Sequence, residues 1–173
     1  MTQKIIVVGA GYVGLVAGAC FARAGYEVGI VEVNPEKLRS IKDSKVPFYE
    51  PGLSELLREG IAQNRLSFYS NQKEALEKLK AQFVFCAVGT PESPDGSANL
   101  TYVEEALKEC VLNSKDHCYF IIKSTVPVGT SKKLQKMADD LIQGKVSVLN
   151  NPEFLKEGSA VSDFLKPERV VIG

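Results

Sequence analysis

Gly9-Ala10-Gly11-Tyr12-Val13-Gly14 has the spacing G-x-G-x-x-G, directly behind the β-branched block Ile5-Ile6-Val7-Val8 and at the head of a helix-like stretch. That strand-to-helix context turns a common glycine pattern into a phosphate cradle. The first glycine permits a tight turn, the second lets backbone approach a pyrophosphate, and the third lets helix and strand pack closely. Amide N–H groups at the helix start, at the positive end of its dipole, then face the phosphates. Gly9, Gly11, Tyr12, Val13 and Gly14 are therefore candidate cofactor residues. Glu32 follows Gly14 by 18 residues, at the end of the second strand, the position from which a carboxylate binds the adenosine ribose hydroxyls. A carboxylate there repels a 2′-phosphate, which favours NAD over NADP. Lys37 reads either as a group lying over the same ribose or as a solvated helix charge.

Three more segments put hydroxyls, amides or carboxylates just past strand-like runs: Gly89-Thr90-Pro91, Ser124-Thr125-Val126-Pro127 and Asn150-Asn151-Pro152-Glu153. In an open α/β sheet, ligands sit beyond the carboxyl ends of the strands. Each segment alone is ordinary turn chemistry; three on one edge suggest a site. Glu153 and Glu157 would share a helix face if the chain is helical from Phe154 onward. One of them would then be a candidate general base, with an exposed surface pair as the alternative. Lys156 and Lys166 read as surface charges.

The elements that must position these groups alternate. Strand-like runs cover 4–8, 27–33, 66–69, 83–88, 119–123, 146–149 and 169–172. Helix-like runs cover 11–24, 35–43, 52–64, 72–80, 100–113 and 129–142. Asn34 caps the second helix, with Pro35 at its first position, and Gly25 closes the first. The strands are continuous apolar runs, as expected when both sheet faces are covered. The pattern predicts an α/β fold, Rossmann-like and doubly wound, with a mainly parallel sheet and helices on both faces. The longest stretch without expected structure is 89–99.

Composition narrows the function. The 173 residues are 45% hydrophobic and 24% charged, with Lys+Arg 21 balancing Asp+Glu 21, a single-domain globular composition. Zero net charge argues against nucleic acid as a partner. No residue between Lys4 and Arg23 is charged, a length at the lower edge of a membrane span. The glycines and β-branched residues in that run argue against a membrane helix or a secretion signal. The chain has one histidine, His117, and four cysteines, Cys20, Cys86, Cys110 and Cys118, with no C-x-x-C pair. A zinc site or a His-based triad is hard to build from that set, so no metal is expected. The cysteines read as reduced thiols of a cytosolic protein.

Read together, the motifs resemble the NAD-binding N-terminal domain of the UDP-glucose/GDP-mannose dehydrogenase family. The matching stretches run in the family's order from end to end: 8–15 (VGAGYVGL), 31–37 (VEVNPEK), 46–53 (VPFYEPGL), 88–91 (VGTP), 123–130 (KSTVPVGT) and 151–158 (NPEFLKEG). Tyr49 in the third is closer to the UDP-glucose 6-dehydrogenase branch than to those acting on GDP-mannose or UDP-N-acetylmannosamine. The resemblance implies oxidation of the sugar C6 alcohol to a carboxylate, UDP-glucose to UDP-glucuronate, by two hydride transfers to NAD+ through cysteine-bound intermediates. It implies that Val13, Glu32, Lys37, Thr90 and Thr125 contact NAD. Glu153, Phe154, Leu155 and Lys156 would hold the sugar nucleotide. Thr125 would help position a water, and Glu157 would act in thioester hydrolysis beside the nicotinamide.

One departure stands out. The family's nucleophilic cysteine lies in a later segment ending Phe-Pro-Lys-Asp, and no such segment occurs in these 173 residues. The family's catalytic lysine, central dimerisation helix and UDP-binding domain are also missing. The expectation is a cut piece or partial gene product: residues 1–173 as one NAD-binding Rossmann domain, binding NAD(H) but inactive without the C-terminal half, and homodimeric at full length. The alternatives are a dehydrogenase of another nucleotide sugar and a stand-alone NAD(H)-binding module.

Overall fold

The computed structural model describes residues 2–173. The elements run β1 (Lys4–Val8), α1 (Tyr12–Arg23), β2 (Glu27–Val31), α2 (Pro35–Lys42), α3 (Leu53–Ala62), β3 (Leu66–Tyr69), α4 (Gln72–Leu79), β4 (Phe83–Cys86), α5 (Thr101–Asn113), β5 (Cys118–Ile122), α6 (Thr130–Leu141), β6 (Val146–Asn150) and α7 (Ala160–Leu165). Six strands form one sheet in the order β3-β2-β1-β4-β5-β6, with every pairing parallel. This is the doubly wound Rossmann order, with its topological switch between β1 and β4.

Alternation along each strand explains the two cores. Ile6 and Val8 pack on one side with Val84, Phe120, Leu107 and Leu134, under α4, α5 and α6. Ile5 and Val7 pack on the other with Leu15, Val28, Ile30, Leu53 and Leu57, under α1 and α3. Leu15, Leu57 and Phe120 are fully buried, and each such side chain stabilises the fold by about 1.5–3 kcal/mol before entropy is counted. Gly18 has a similar packing reason, since a Cβ there would stand 2.7 Å from the Ile30 side chain.

The register brings the strand ends level. Val8 pairs with both Val31 and Cys86, and Ile122 with both Cys86 and Asn150. The turns after β1, β2, β4, β5 and β6 therefore open along one edge. Asn34 caps α2 as expected, its side chain accepting from the amides of Glu36 and Lys37. Gly25 adopts φ 102° beyond α1.

Three expectations change. Residues 169–172 form no strand; Val171 O accepts from the Asn151 side chain at 2.8 Å, and one reciprocal amide pair follows at Gly173, Asn150 N to Gly173 O at 2.7 Å and Gly173 N to Asn150 O at 2.9 Å, too little for a ladder. The chain from Phe154 is not helical until α7 begins at Ala160, so Glu153 and Glu157 share no helix face. Residues 89–99 contain a small hairpin, with Glu92 bridged to Ala98. Gly96 turns it at φ 81°, and the Asp95 carboxylate accepts from Ser97 N at 3.0 Å and Oγ at 2.7 Å. Among the described residues no helix is long and apolar enough to cross a membrane.

Candidate functional site

The glycine-rich turn has three glycines with three different reasons. Gly9 has φ 96°, and a Cβ there would lie 2.7 Å from Ala87 O; its amide donates to Val31 O at 2.9 Å. A Cβ on Gly14 would lie 1.9 Å from Gly9 O. Both positions exclude a side chain through contacts with the protein's own backbone. Gly11 is different. Its φ of −70° and ψ of −170° suit any residue, and a Cβ there would meet nothing within 4 Å. The protein's packing does not require a glycine at position 11, whereas a ligand lying against the backbone does. The first turn of α1 carries no acidic residue and no side-chain cap, so its amides are left to an external acceptor. These observations fit a dinucleotide pyrophosphate.

Glu32 lies at the end of the neighbouring strand and is buried. Its backbone amide donates to Tyr69 O at 3.0 Å. Asn34 N donates to its Oε1 at 3.0 Å, and Lys37 Nζ pairs with Oε2 at 2.9 Å. An ionised carboxylate has about four acceptor sites, so both oxygens keep capacity for ribose hydroxyls. The structure thus joins Lys37 to Glu32 rather than leaving it as a free helix charge.

The other strand ends are tied together. Thr90 Oγ1 donates to Thr125 O at 3.0 Å, linking the turns after β4 and β5. Ser124 Oγ donates to Val88 O at 2.7 Å. Asn151 N donates to Ile122 O at 2.9 Å, which carries β5 into the 151–158 segment. That segment is held irregular by contacts with other elements. Glu153 Oε2 accepts from Leu155 N at 2.6 Å, Asp163 accepts from Lys156 N at 3.1 Å, and Tyr12 donates to Lys156 O at 3.2 Å. Phe154, Lys156 and Glu157 are exposed, while Leu155 packs partly against the α1 core. Glu157 lies near enough to Tyr12 that its charge adds to the pressure against a phenolate there.

A cavity of about 430 Å³ lies between the sheet and the 151–170 segment. Phe21, Phe85 and Phe164 form its apolar wall, and Lys123 is its buried cation. It takes in Glu153 through Lys156 but no residue of the glycine-rich turn, so it is separate from the dinucleotide crevice.

Two residues of this region, Glu50 and Lys123, lie in the matched stretches 46–53 and 123–130, yet the sequence assigns them no role. Glu50 is buried and gathers Tyr12, Gly158 and Val161. Lys123 is also buried, with Nζ 3.1 Å from Asn151 Oδ1 and 5.8 Å from the centroid of the Phe164 ring. Burial lowers the Lys123 pKa, and the charge of Glu153 pulls against that shift. The four thiols are free and buried. Burial pushes Cys86 up to about 12, and burial with the charge of Glu50 does the same to Cys20, so neither is a nucleophile. Cys110 and Cys118 sit Sγ to Sγ at 3.0 Å, and the hydrogen bond from Cys110 lowers the Cys118 thiol below its ordinary value. That pair lies at the amino end of β5, on the edge of the sheet opposite the glycine-rich turn.

Residues 3–173 match the model of the UDP-glucose/GDP-mannose dehydrogenase family, NAD binding domain. The chain is 42% identical over 173 residues to the UDP-glucose 6-dehydrogenase TuaD of Bacillus subtilis, covering 99% of this chain and 37% of that protein. Its structure superposes on a UDP-glucose dehydrogenase from Pyrobaculum islandicum with TM-score 0.91 at 41% identity, over 100% of this chain and 41% of that one. A GDP-mannose dehydrogenase from Pseudomonas aeruginosa gives TM-score 0.90 at 32% identity, over 99% and 41%. The chain therefore spans about two fifths of the length of these proteins.

Proposed function

The chain belongs to the UDP-glucose/GDP-mannose dehydrogenase family, whose NAD-binding domain it carries, and from that premise we propose that it is the NAD-binding half of a UDP-glucose 6-dehydrogenase. The observation that carries the reading is Gly11, a glycine that neither backbone conformation nor packing explains, beside an uncapped helix start and the carboxylate of Glu32. Identity near 42% to UDP-glucose enzymes against 32% to a GDP-mannose enzyme favours the UDP-sugar.

Bound NAD+ supplies the hydride acceptor. The amides of Gly11, Tyr12, Val13 and Gly14 bind the pyrophosphate, and Gly9 sets their turn. Glu32 takes the ribose hydroxyls, with Lys37 holding its carboxylate in place. Thr90 and Thr125, joined to each other, line the nicotinamide end. Glu153, Phe154, Leu155 and Lys156 bind the sugar nucleotide, through backbone groups and the Lys156 charge. In the whole reaction an alcohol, two NAD+ and a water become a carboxylate, two NADH and three protons. In the hydrolytic step Thr125 orients the water and Glu157 takes its proton.

The four cysteines here are buried in packed elements, so we assign the nucleophilic thiol, the sugar-nucleotide domain and the dimer contacts to parts of the enzyme outside these residues. Residues 1–173 then act as one cofactor domain of a cytosolic enzyme.

Titration of the chain with NADH, followed by nicotinamide fluorescence and calorimetry, tests the reading. Saturable binding displaced by NAD+ in preference to NADP+, with no UDP-glucuronate formed by this chain alone, is the expected result. No saturable binding, or equal displacement by NADP+, overturns it.

A further inference from the structure

We propose that Glu50 is a positioning residue for the reaction, its carboxylate fastening the substrate-binding segment 153–158 to the glycine-rich turn that cradles the cofactor. The inference rests on the functional reading above and adds a residue that reading does not use.

Glu50 is 6% exposed, and a buried carboxylate is costly unless donors surround it. Donors reach it from two distant parts of the chain. The Tyr12 hydroxyl donates to Oε2 at 2.5 Å, Gly158 N to the same oxygen at 2.8 Å, and Val161 N to Oε1 at 3.2 Å. Tyr12 belongs to the glycine-rich turn, and its hydroxyl also lies 3.2 Å from Lys156 O. One anion thus joins the cofactor turn to the C-terminal end of the segment that bears Lys156 and Glu157.

A cap for α7 explains only part of this. Ser159, at the N-cap position of α7, makes no side-chain cap bond, and Glu50 supplies an acceptor in its place. Capping has no use for the Tyr12 phenol, which comes from the other side. The geometry instead makes Tyr12 and Glu50 a linkage, through which a pyrophosphate ordering the turn also orders the substrate segment.

Charge sharpens the linkage. Burial opposes ionisation of Glu50, but the bonds from Tyr12 and from the amides of Val161, Gly158 and Ala160 outweigh it and hold the carboxyl below its ordinary range. The titratable groups that feel its charge are Tyr12 and Cys20, both from α1. Burial and the bond to Glu50 push the Tyr12 phenol up to about 12, so it remains the donor at neutral pH.

The test uses the 173-residue chain with NADH as probe, and the variants Glu50→Gln and Tyr12→Phe. Saturating NADH is expected to slow amide exchange across 153–161 at least ~10-fold in the parent chain and less than ~2-fold in either variant. Phenol titration by ultraviolet absorbance is expected to find the highest-pKa tyrosine lowered in Glu50→Gln, a signature that simple loss of a helix cap does not produce. Should Glu50→Gln fail to fold, Tyr12→Phe carries the test, because it leaves the carboxylate on the amides of Gly158 and Val161. Equal NADH protection in parent and variants, or an unchanged high-pKa phenol in Glu50→Gln, overturns the linkage while leaving cofactor binding intact. Absence of NADH binding in the parent overturns the functional reading itself and this inference with it.

Discussion

Lys37 Nζ lies 2.9 Å from the Glu32 carboxylate, with the glutamate side chain 10% exposed and the lysine 31%. The lysine steadies an anion that the protein keeps at the mouth of its dinucleotide crevice. The two partners therefore differ in weight. Glu32→Ala removes charge-assisted hydrogen bonds to the ribose, worth about 1.5–3 kcal/mol, and is expected to weaken NADH binding at least ~10-fold. Lys37→Ala removes one arm of a partly exposed pair, worth about 1 kcal/mol or less, and is expected to cost up to ~5-fold. Calorimetric titration of both variants checks the order, and NADP+ binding should improve in Glu32→Ala.

Lys123 predicts a separation of stability from order. Burial disfavours its ammonium, so replacing it by an apolar side chain of similar length recovers a desolvation cost that offsets the lost contacts. Lys123→Met is expected to change unfolding free energy by less than ~1 kcal/mol in urea titrations. The same variant loses the contact to Asn151 at 3.1 Å, so amide exchange across 151–155 should rise several-fold. A large loss of stability with unchanged exchange would contradict this account of the lysine.

Alkaline pH should weaken the fold. Burial holds the Cys86 thiol at about 12, and burial with nearby Glu50 raises Cys20 and Tyr12 to about 12 as well. Ordinary values are about 8.5 for a thiol and about 10 for a phenol. These groups keep protons in the folded chain that the unfolded chain releases. Their stabilisation is fully present below the unfolded values and is lost as pH rises toward 12. Urea midpoints measured from pH 7 upward should fall above about pH 8.5, and Cys86→Ala should flatten that fall.

Much of the fold was legible because its signals are local. The apolar runs 4–8 and 66–69 are strands as read, and Asn34 with Pro35 starts α2 where capping chemistry puts it. Gly9, Gly11 and Gly14 occupy the turn their spacing implies. The misses have one physical cause: the deciding partners are far away in sequence. Glu153 and Glu157 share no helix face because Glu153 turns back to Leu155 N and Lys156 is held by Asp163 and Tyr12. Val170, Val171 and Ile172 have the composition of a strand but lack a ladder, with only Gly173 exchanging amide bonds with Asn150. Glu50 takes its donors from 108 and 111 residues away, a separation that no local pattern encodes. Lys123 sits in a matched motif, yet only the packing of Phe164 and Asn151 shows that it is buried.

The central claim is that the turn behind Val8 grips a dinucleotide, and Gly11 isolates it from folding. A Cβ at Gly11 meets open space, whereas one at Gly14 meets backbone at 1.9 Å. The most direct measurement is the NADH affinity of Gly11→Ala beside its thermal stability. The account predicts a melting temperature close to the parent's, within the ~1 kcal/mol that an N-cap glycine contributes over alanine, and at least ~10-fold weaker NADH binding. Unchanged NADH affinity in a fully folded Gly11→Ala chain would contradict it.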